Sequence, residues 1–205
     1  MLKSLSRHWD TIFPGTQPIG YLFRELYPER WVRFHSLPES KRYAENRAEY
    51  TEIFSRQNQI LPELIKSQEI ILLTTTSSIS ASPHRIKREG RGYLSKRAKK
   101  LARLDPHAKF WRTVAMRAHE DIDEPWTYYW HIFASQRTFT EGCIDPILAL
   151  AADFVEENVF ILSPNDSWLF LPYDGGVDVI LPSTWERDCL KDRYKTWLSK
   201  ESSGL

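Results

Sequence analysis

The chain has 205 residues, a length that suits one domain, or one domain with an insertion, and a core that stands without staples. Its 41% hydrophobic content supplies that core, and a net charge of +1 excludes a global field that would steer the whole molecule to nucleic acid or membrane. No run approaches the roughly 18 uninterrupted apolar residues of a membrane span, and the first ten residues lack the apolar stretch of a secretory signal.

The opening, through Tyr27, is rich in aromatics: Trp9, Phe13, Tyr21, Phe23 and Tyr27, broken by Pro14, Gly15, Pro18 and Gly20. Residues 19–27 suit a short helix that Pro28 stops. Residues 30–36, with Trp31, Val32 and Phe34 between Pro28 and Pro38, read as a strand. Asn46 with Glu49 is a capping-box pattern, and Tyr50, Ile53, Phe54, Gln57, Ile60, Leu61 and Leu64 recur at helical spacing behind it. Pro62 should kink that helix or start a new turn. The β-branched run 69–77 predicts a strand.

Residues 78–106 fit no core element well and read as a basic loop or insertion, with 96–104 suited to a short basic helix. Between His84 and Leu104 stand nine cations, Arg85, Lys87, Arg88, Arg91, Lys96, Arg97, Lys99, Lys100 and Arg103, against the single acid Glu89. That segment is +8, so the rest of the chain is −7.

Two further strands are expected at 110–116 and 126–133, joined by the acidic link His119 to Glu124. Asp145-Pro146 opens a helix through Phe154, with Asp145 as its N-cap. Three short strands follow at 159–163, 167–171 and 177–181, with turn chemistry between them at Pro164-Asn165-Asp166 and Asp174-Gly175-Gly176, which predicts an antiparallel meander. Two glycines after Asp174 suit positive φ in a tight turn. The last helix starts at the Ser183/Glu186 capping box, and its stripe of Trp185, Cys189, Leu190, Tyr194, Trp197 and Leu198 is expected to face the sheet. The fold class is therefore α+β: a mixed, mostly antiparallel sheet with a C-terminal three-strand meander, flanked by helices, in a single domain.

The stretches Arg30-Trp-Val-Arg-Phe-His-Ser-Leu-Pro-Glu-Ser-Lys-Arg-Tyr43 and Trp168-Leu-Phe-Leu-Pro-Tyr-Asp-Gly-Gly-Val-Asp-Val-Ile-Leu-Pro182 resemble the two signatures of a bacterial family known as domain of unknown function 3885. The likeness covers nearly the whole chain. It identifies a family and implies no activity, cofactor or catalytic residue.

The densest polar cluster is at a strand-to-helix junction: Arg33, His35, Ser36, Lys41, Arg42 and Tyr43. On a strand Arg33 and His35 share a face, where His35 would serve as general base, Ser36 or Tyr43 as its partner and Arg33 as an anion holder. A hydrogen-bonded structural corner is the alternative. Asp174 and Asp178 suit either a turn or the side of a groove, and two carboxylates four residues apart do not define a metal site. The carboxylates of the acidic link suit a hard cation or a solvated hairpin loop, and His131 within its strand reads as a satisfied core histidine. No P-loop, dinucleotide or hydrolase-elbow fingerprint occurs, so neither cofactor nor metal is expected. Cys143 and Cys189, without CxxC spacing, read as small buried hydrophobes in a reduced, cytoplasmic protein.

Three functions compete. A non-enzymatic protein-interaction module, of which toxin-neutralising immunity proteins are an example, fits a chain without catalytic fingerprints; its partner would be a protein. Nucleic-acid binding or processing would use the nine cations of the 84–104 segment. An enzyme acting on a small anion would use the Arg33/His35 corner.

Overall fold

Alternation along the strands decides the architecture. In the strand Glu69–Ser78 (β2), Ile70 and Leu72 bury in one apolar cluster while Ile71 and Leu73 bury in another. The computed structural model describes residues 1–78, 86, 96–117, 127–156 and 158–200. Within them the strands Trp31–His35 (β1), β2, Lys109–Arg117 (β3), Thr127–Thr138 (β4), Phe160–Leu162 (β5), Leu169–Tyr173 (β6) and Gly176–Ile180 (β7) form one sheet. Its order is β1-β7-β6-β5-β2-β4-β3, with antiparallel pairing at every junction. Six α-helices accompany it among the described residues, so the protein is α+β, and β5–β6–β7 are the expected meander.

Both faces of the sheet are covered, which explains why its central strands are apolar without a polar alternation. On one face Val32, Phe34, Ile161, Phe170 and Val179 meet side chains from Arg47–Leu64 (α3), Lys96–Leu104 (α4), Asp145–Ala152 (α5) and Thr184–Arg193 (α6). On the other, Phe160, Leu162, Leu169 and Ile180 meet Leu2–Ile12 (α1) and Phe23–Leu26 (α2). The N-terminal aromatics fill this second layer: Trp9 lies 5.3–5.8 Å from the rings of Phe13, Phe23, Trp111 and Phe160, and its indole N–H donates to the Thr16 carbonyl at 2.8 Å. The amphipathic α1 has no recognisable cap signal, since its N-cap is Met1 without a side-chain hydrogen bond, so punctuation did not announce it.

Both expected N-caps form: Asn46 accepts from the Glu49 amide and Ser183 from the Glu186 amide. The reciprocal arm of the capping box differs: Glu49 accepts from the Glu45 amide and Glu186 from the Ser183 hydroxyl. Pro62 falls in the last turn of α3, which ends at Leu64. Three expectations need correction. Asp145 does not cap its helix; Ile144 stands at the N-cap, and the Asp145 carboxylate instead accepts from Asn58 of α3 at 2.8 Å. That helix ends at Ala152, short of Phe154. The glycines after Asp174 take no positive φ; their requirement is steric, because a Cβ on Gly176 would lie 2.1 Å from the Phe34 carbonyl oxygen and one on Gly175 would lie 2.8 Å from the Tyr173 ring. The short basic helix expected over 96–104 forms as α4, Lys96–Leu104, and buries Ala98 and Leu101, while β2 reaches Ser78.

Trp185 and Cys189 are the clearest departure. They were expected on the sheet-facing stripe, yet Trp185 is 72% exposed and Cys189 is exposed as well. At 3.6 residues per turn, Trp185 and Leu190 point about 140° apart, and Leu190 is the one that buries. Cys143 is half-buried against the core and Cys189 lies open, so neither behaves as a fully buried small hydrophobe. No helix among the described residues is long and apolar enough to cross a membrane.

Candidate functional site

Three places gather chemistry: the corner built by β1, β6 and β7, the exposed face of α4, and a groove between the end of α3 and α6.

At the corner, strand register places Arg33 opposite Asp178. The guanidinium grips that carboxylate twice, Nε to Oδ1 at 2.6 Å and Nη2 to Oδ2 at 2.9 Å, and lies 4.8 Å from the Tyr173 ring centroid. Burial works against the charge on Arg33, but the hydrogen bond and charge of Asp178 outweigh it and raise its pKa. Burial, with Asp178 adding, pushes the Tyr173 phenol up. Next to this pair the buried Asp174 accepts from Arg42 Nε at 2.7 Å, and the hydrogen bond of that carboxylate also raises Tyr43. The corner is thus a double ion pair braced by aromatic rings.

The other residues of this cluster diverge. Ser36 turns to the opposite side of the strand, where its buried hydroxyl accepts from Gln57 at 2.9 Å, so it is not presented to His35. Lys41 goes to Glu49 at 2.6 Å and Glu45 at 3.1 Å. His35 is half-buried with its Nε2 unpartnered among the described residues; burial, then the charge of Arg33, lowers its pKa. It lines a cavity of about 310 Å³ with Glu39, Ser40, Arg56, Trp197 and Lys200, in which Glu39 and Ser40 hold φ of 52° and 56°. Each is a conformation rare for residues with a side chain.

The basic segment is described only in part. Arg85, Lys87, Arg88 and Arg91 lie outside the described residues, as do Glu89 and the acidic link 119–124. On α4, Lys96, Lys99, Lys100 and Arg103 are exposed, whereas Arg97 is half-buried and its Nη2 donates to the Phe154 carbonyl at 3.4 Å. Beside α4 a polar cavity of about 360 Å³ is lined by Thr75, Thr76, Arg97, Trp130, Glu156 and Asn158. Glu156 is buried there and accepts from the Thr75 amide at 2.8 Å. A carboxylate satisfied by a backbone amide from a distant strand leaves no pattern in sequence.

The groove is the largest of these spaces, about 530 Å³ including its open side. Leu64, Trp168, Leu181, Pro182 and Leu190 supply apolar lining, and Trp185 and Cys189 stand on α6 beside them. Trp168 is fully buried, and its indole N–H finds no acceptor among the described residues. The rim charges are paired among themselves. Glu63 accepts from Arg193 and Tyr194, while Lys66 lies 3.9 Å from Glu186 and 3.8 Å from Asp166. The signal for this groove was present in the sequence, since Trp185 and Cys189 are one turn apart on their own stripe, but the helical period does not say which of two stripes faces the core.

Elsewhere, His131 is fully buried with Nδ1 2.9 Å from the Thr113 hydroxyl. Among the described residues no group of three or more His, Cys, Asp or Glu converges on a metal-binding geometry.

Taken together these features define an α+β protein with a single antiparallel sheet, an internally neutralised corner, a cationic helix face and an apolar groove. A family model for a domain of unknown function (DUF3885) matches residues 19–202, and the chain belongs to that family. No curated protein and no solved structure matches the chain.

Proposed function

We propose that the protein is a non-enzymatic interaction module that binds a polypeptide segment in the α3–α6 groove. The observation that carries this reading is Trp185, 72% exposed at the edge of an apolar groove. Tryptophan is among the commonest anchors of protein interfaces, because it buries a large area at small entropic cost. The rim supports a polypeptide occupant: its cations and carboxylates cancel in pairs, which disfavours a strongly charged ligand, and a polypeptide brings carbonyl oxygens that accept from indole N–H groups. The corner supports the same reading from the other direction. Arg33 is held bidentate by Asp178 and Arg42 is paired with Asp174 through Nε, so the corner's positive charge is neutralised within the protein, which weakens its pull on a small anion. Occlusion of a protein partner, as immunity proteins do, is the mode of action that follows, and the free thiols of Cys143 and Cys189 suit a reducing, cytoplasmic setting.

Selection of a random displayed-peptide library on the wild-type protein and on Trp185→Ala tests this. The wild type should enrich peptides sharing an apolar anchor, and Trp185→Ala should lose that enrichment while keeping its stability within about 0.5 kcal/mol, as expected for an exposed side chain. Equal enrichment by both proteins, or none by the wild type, overturns the reading.

A further inference from the structure

We propose that the exposed face of α4 is a sequence-independent nucleic-acid-binding surface that grips the phosphate backbone through Lys96, Lys99, Lys100 and Arg103. These four occupy i, i+3, i+4 and i+7, so they form one stripe along a helix whose opposite side, Ala98 and Leu101, is buried against the protein. The stripe is therefore carried on an anchored element, not on a loose tail.

The stripe has no counter-charge of its own. The helix Lys-Arg-Ala-Lys-Lys-Leu-Ala-Arg-Leu contains no acid, and no ion pair joins these four side chains to any described residue. The nearest following carboxylate, Asp105, is turned into the interior, where it accepts from Ser135 at 2.9 Å and from Arg137 at 2.7 Å. Four like-charged pairs lie one turn apart on this face (Lys96 with Lys99 and Lys100, and Arg103 with Lys99 and Lys100), and Lys96 sits at the positive end of the helix dipole. Each of these placements works against the helix in isolation. A polyanion laid along the stripe relieves all of them together.

The chemistry of the partner follows from what the stripe lacks. A protein interface needs a desolvated apolar centre, and an amphipathic membrane helix needs apolar side chains on its exposed side. The exposed positions of α4 are cations alone. That matches a ligand whose own surface is hydrated and uniformly anionic, which is a phosphate backbone. This site is separate from the α3–α6 groove and does not depend on it.

The test is a titration of the full chain with a labelled mixed-sequence oligonucleotide, as single-stranded RNA and as duplex DNA, over a range of salt. Four engaged cations give a slope of log affinity against log salt of about −3.6 on the duplex and about −2.8 on the single strand. On the duplex that is a loss of roughly 150-fold between about 50 and 200 mM salt. The variant Lys96→Ser, Lys99→Ser, Lys100→Ser, Arg103→Ser should abolish binding and flatten the slope. Conservative replacement of the three lysines by arginine should retain both. If the serine variant fails to fold by circular dichroism, Lys96→Ser with Lys100→Ser should remove about half of the slope. An equally neutralised control, Lys3→Ser, Arg7→Ser, Arg47→Ser, Lys195→Ser, alters exposed cations elsewhere and should bind as the wild type does. The proposal is overturned if the control weakens as much as the stripe variant, if neither oligonucleotide binds, or if poly-glutamate or anionic vesicles bind more tightly than both.

Discussion

Gly176 shows how one residue can be required for a reason that its neighbours in sequence do not show. It pairs with His35 at the end of β1, and the strands approach so closely that any Cβ would sit 2.1 Å from the Phe34 carbonyl oxygen, a backbone atom that cannot swing away. Gly176→Ala should therefore cost at least about 3 kcal/mol, because the β1–β7 pairing must open to admit it. Gly20→Ala is the matched control, since its Cβ would meet Asn158 and Leu171 at ordinary contact distances of 3.5 and 3.6 Å. Urea unfolding of both variants checks the difference, and equal stabilities would refute the steric account. Alongside, His35 ties the corner to pH. Burial, followed by the charges of Arg33 and Arg56, favours its neutral form in the fold, against a smaller opposing pull from the Gly175 hydrogen bond and from Asp178. The unfolded chain then binds more protons than the folded one below the ordinary histidine value of 6.5, so stability rises with pH through that window and is lost on acidification. The urea midpoint should drop between about pH 7.5 and about pH 5.5, and His35→Gln should show a smaller drop. An unchanged pH dependence in that variant would assign the effect to other groups.

At the scale of elements, α4 is the instructive case. Its sequence has a strong basic character and a workable apolar spacing at Ala98 and Leu101, enough to expect a short helix over 96–104 and to miss that the helix is docked. Docking depends on Leu101 reaching a cluster assembled from β1, β2, α3 and α5, none of which is local to it. The like charges along its face predict an unusual response to mutation. Lys96→Glu places an acid in the first turn and opposite Lys100 at i+4, and it should stabilise the protein by about 0.5–1 kcal/mol in the absence of any polyanion. Thermal melts at low salt check this, and destabilisation would show that Lys96 makes a contact the helix depends on. Helix α6 teaches the complementary lesson. Its start was legible to the residue from Ser183 and Glu186, yet its apolar residues fall on two stripes about 140° apart, and only packing chose Leu190 over Trp185.

For the molecule as a whole, the amino-acid sequence by itself determined the strand and helix inventory of the second half, the meander, the α+β class and the family. These rest on local physics: period-two and period-3.6 burial, caps, and turn residues between short apolar runs. It also placed Arg33 and His35 on one face of β1 while Val32 and Phe34 took the other. Only the tertiary structure decided the rest. The sheet order brings β1 beside β7, which turns Arg33 and Asp178, 145 positions apart, into a bidentate pair and Arg42 and Asp174 into its neighbour. Covering the second face with α1 converts a run of N-terminal aromatics into a core layer. Turning the Trp185 stripe of α6 away from the core exposes Trp185 and opens the groove. The physical reason is common to all three: an amphipathic pattern fixes that a surface must be buried or paired, while the partner that satisfies it comes from chain segments far away in sequence, selected by how the layers close over the sheet.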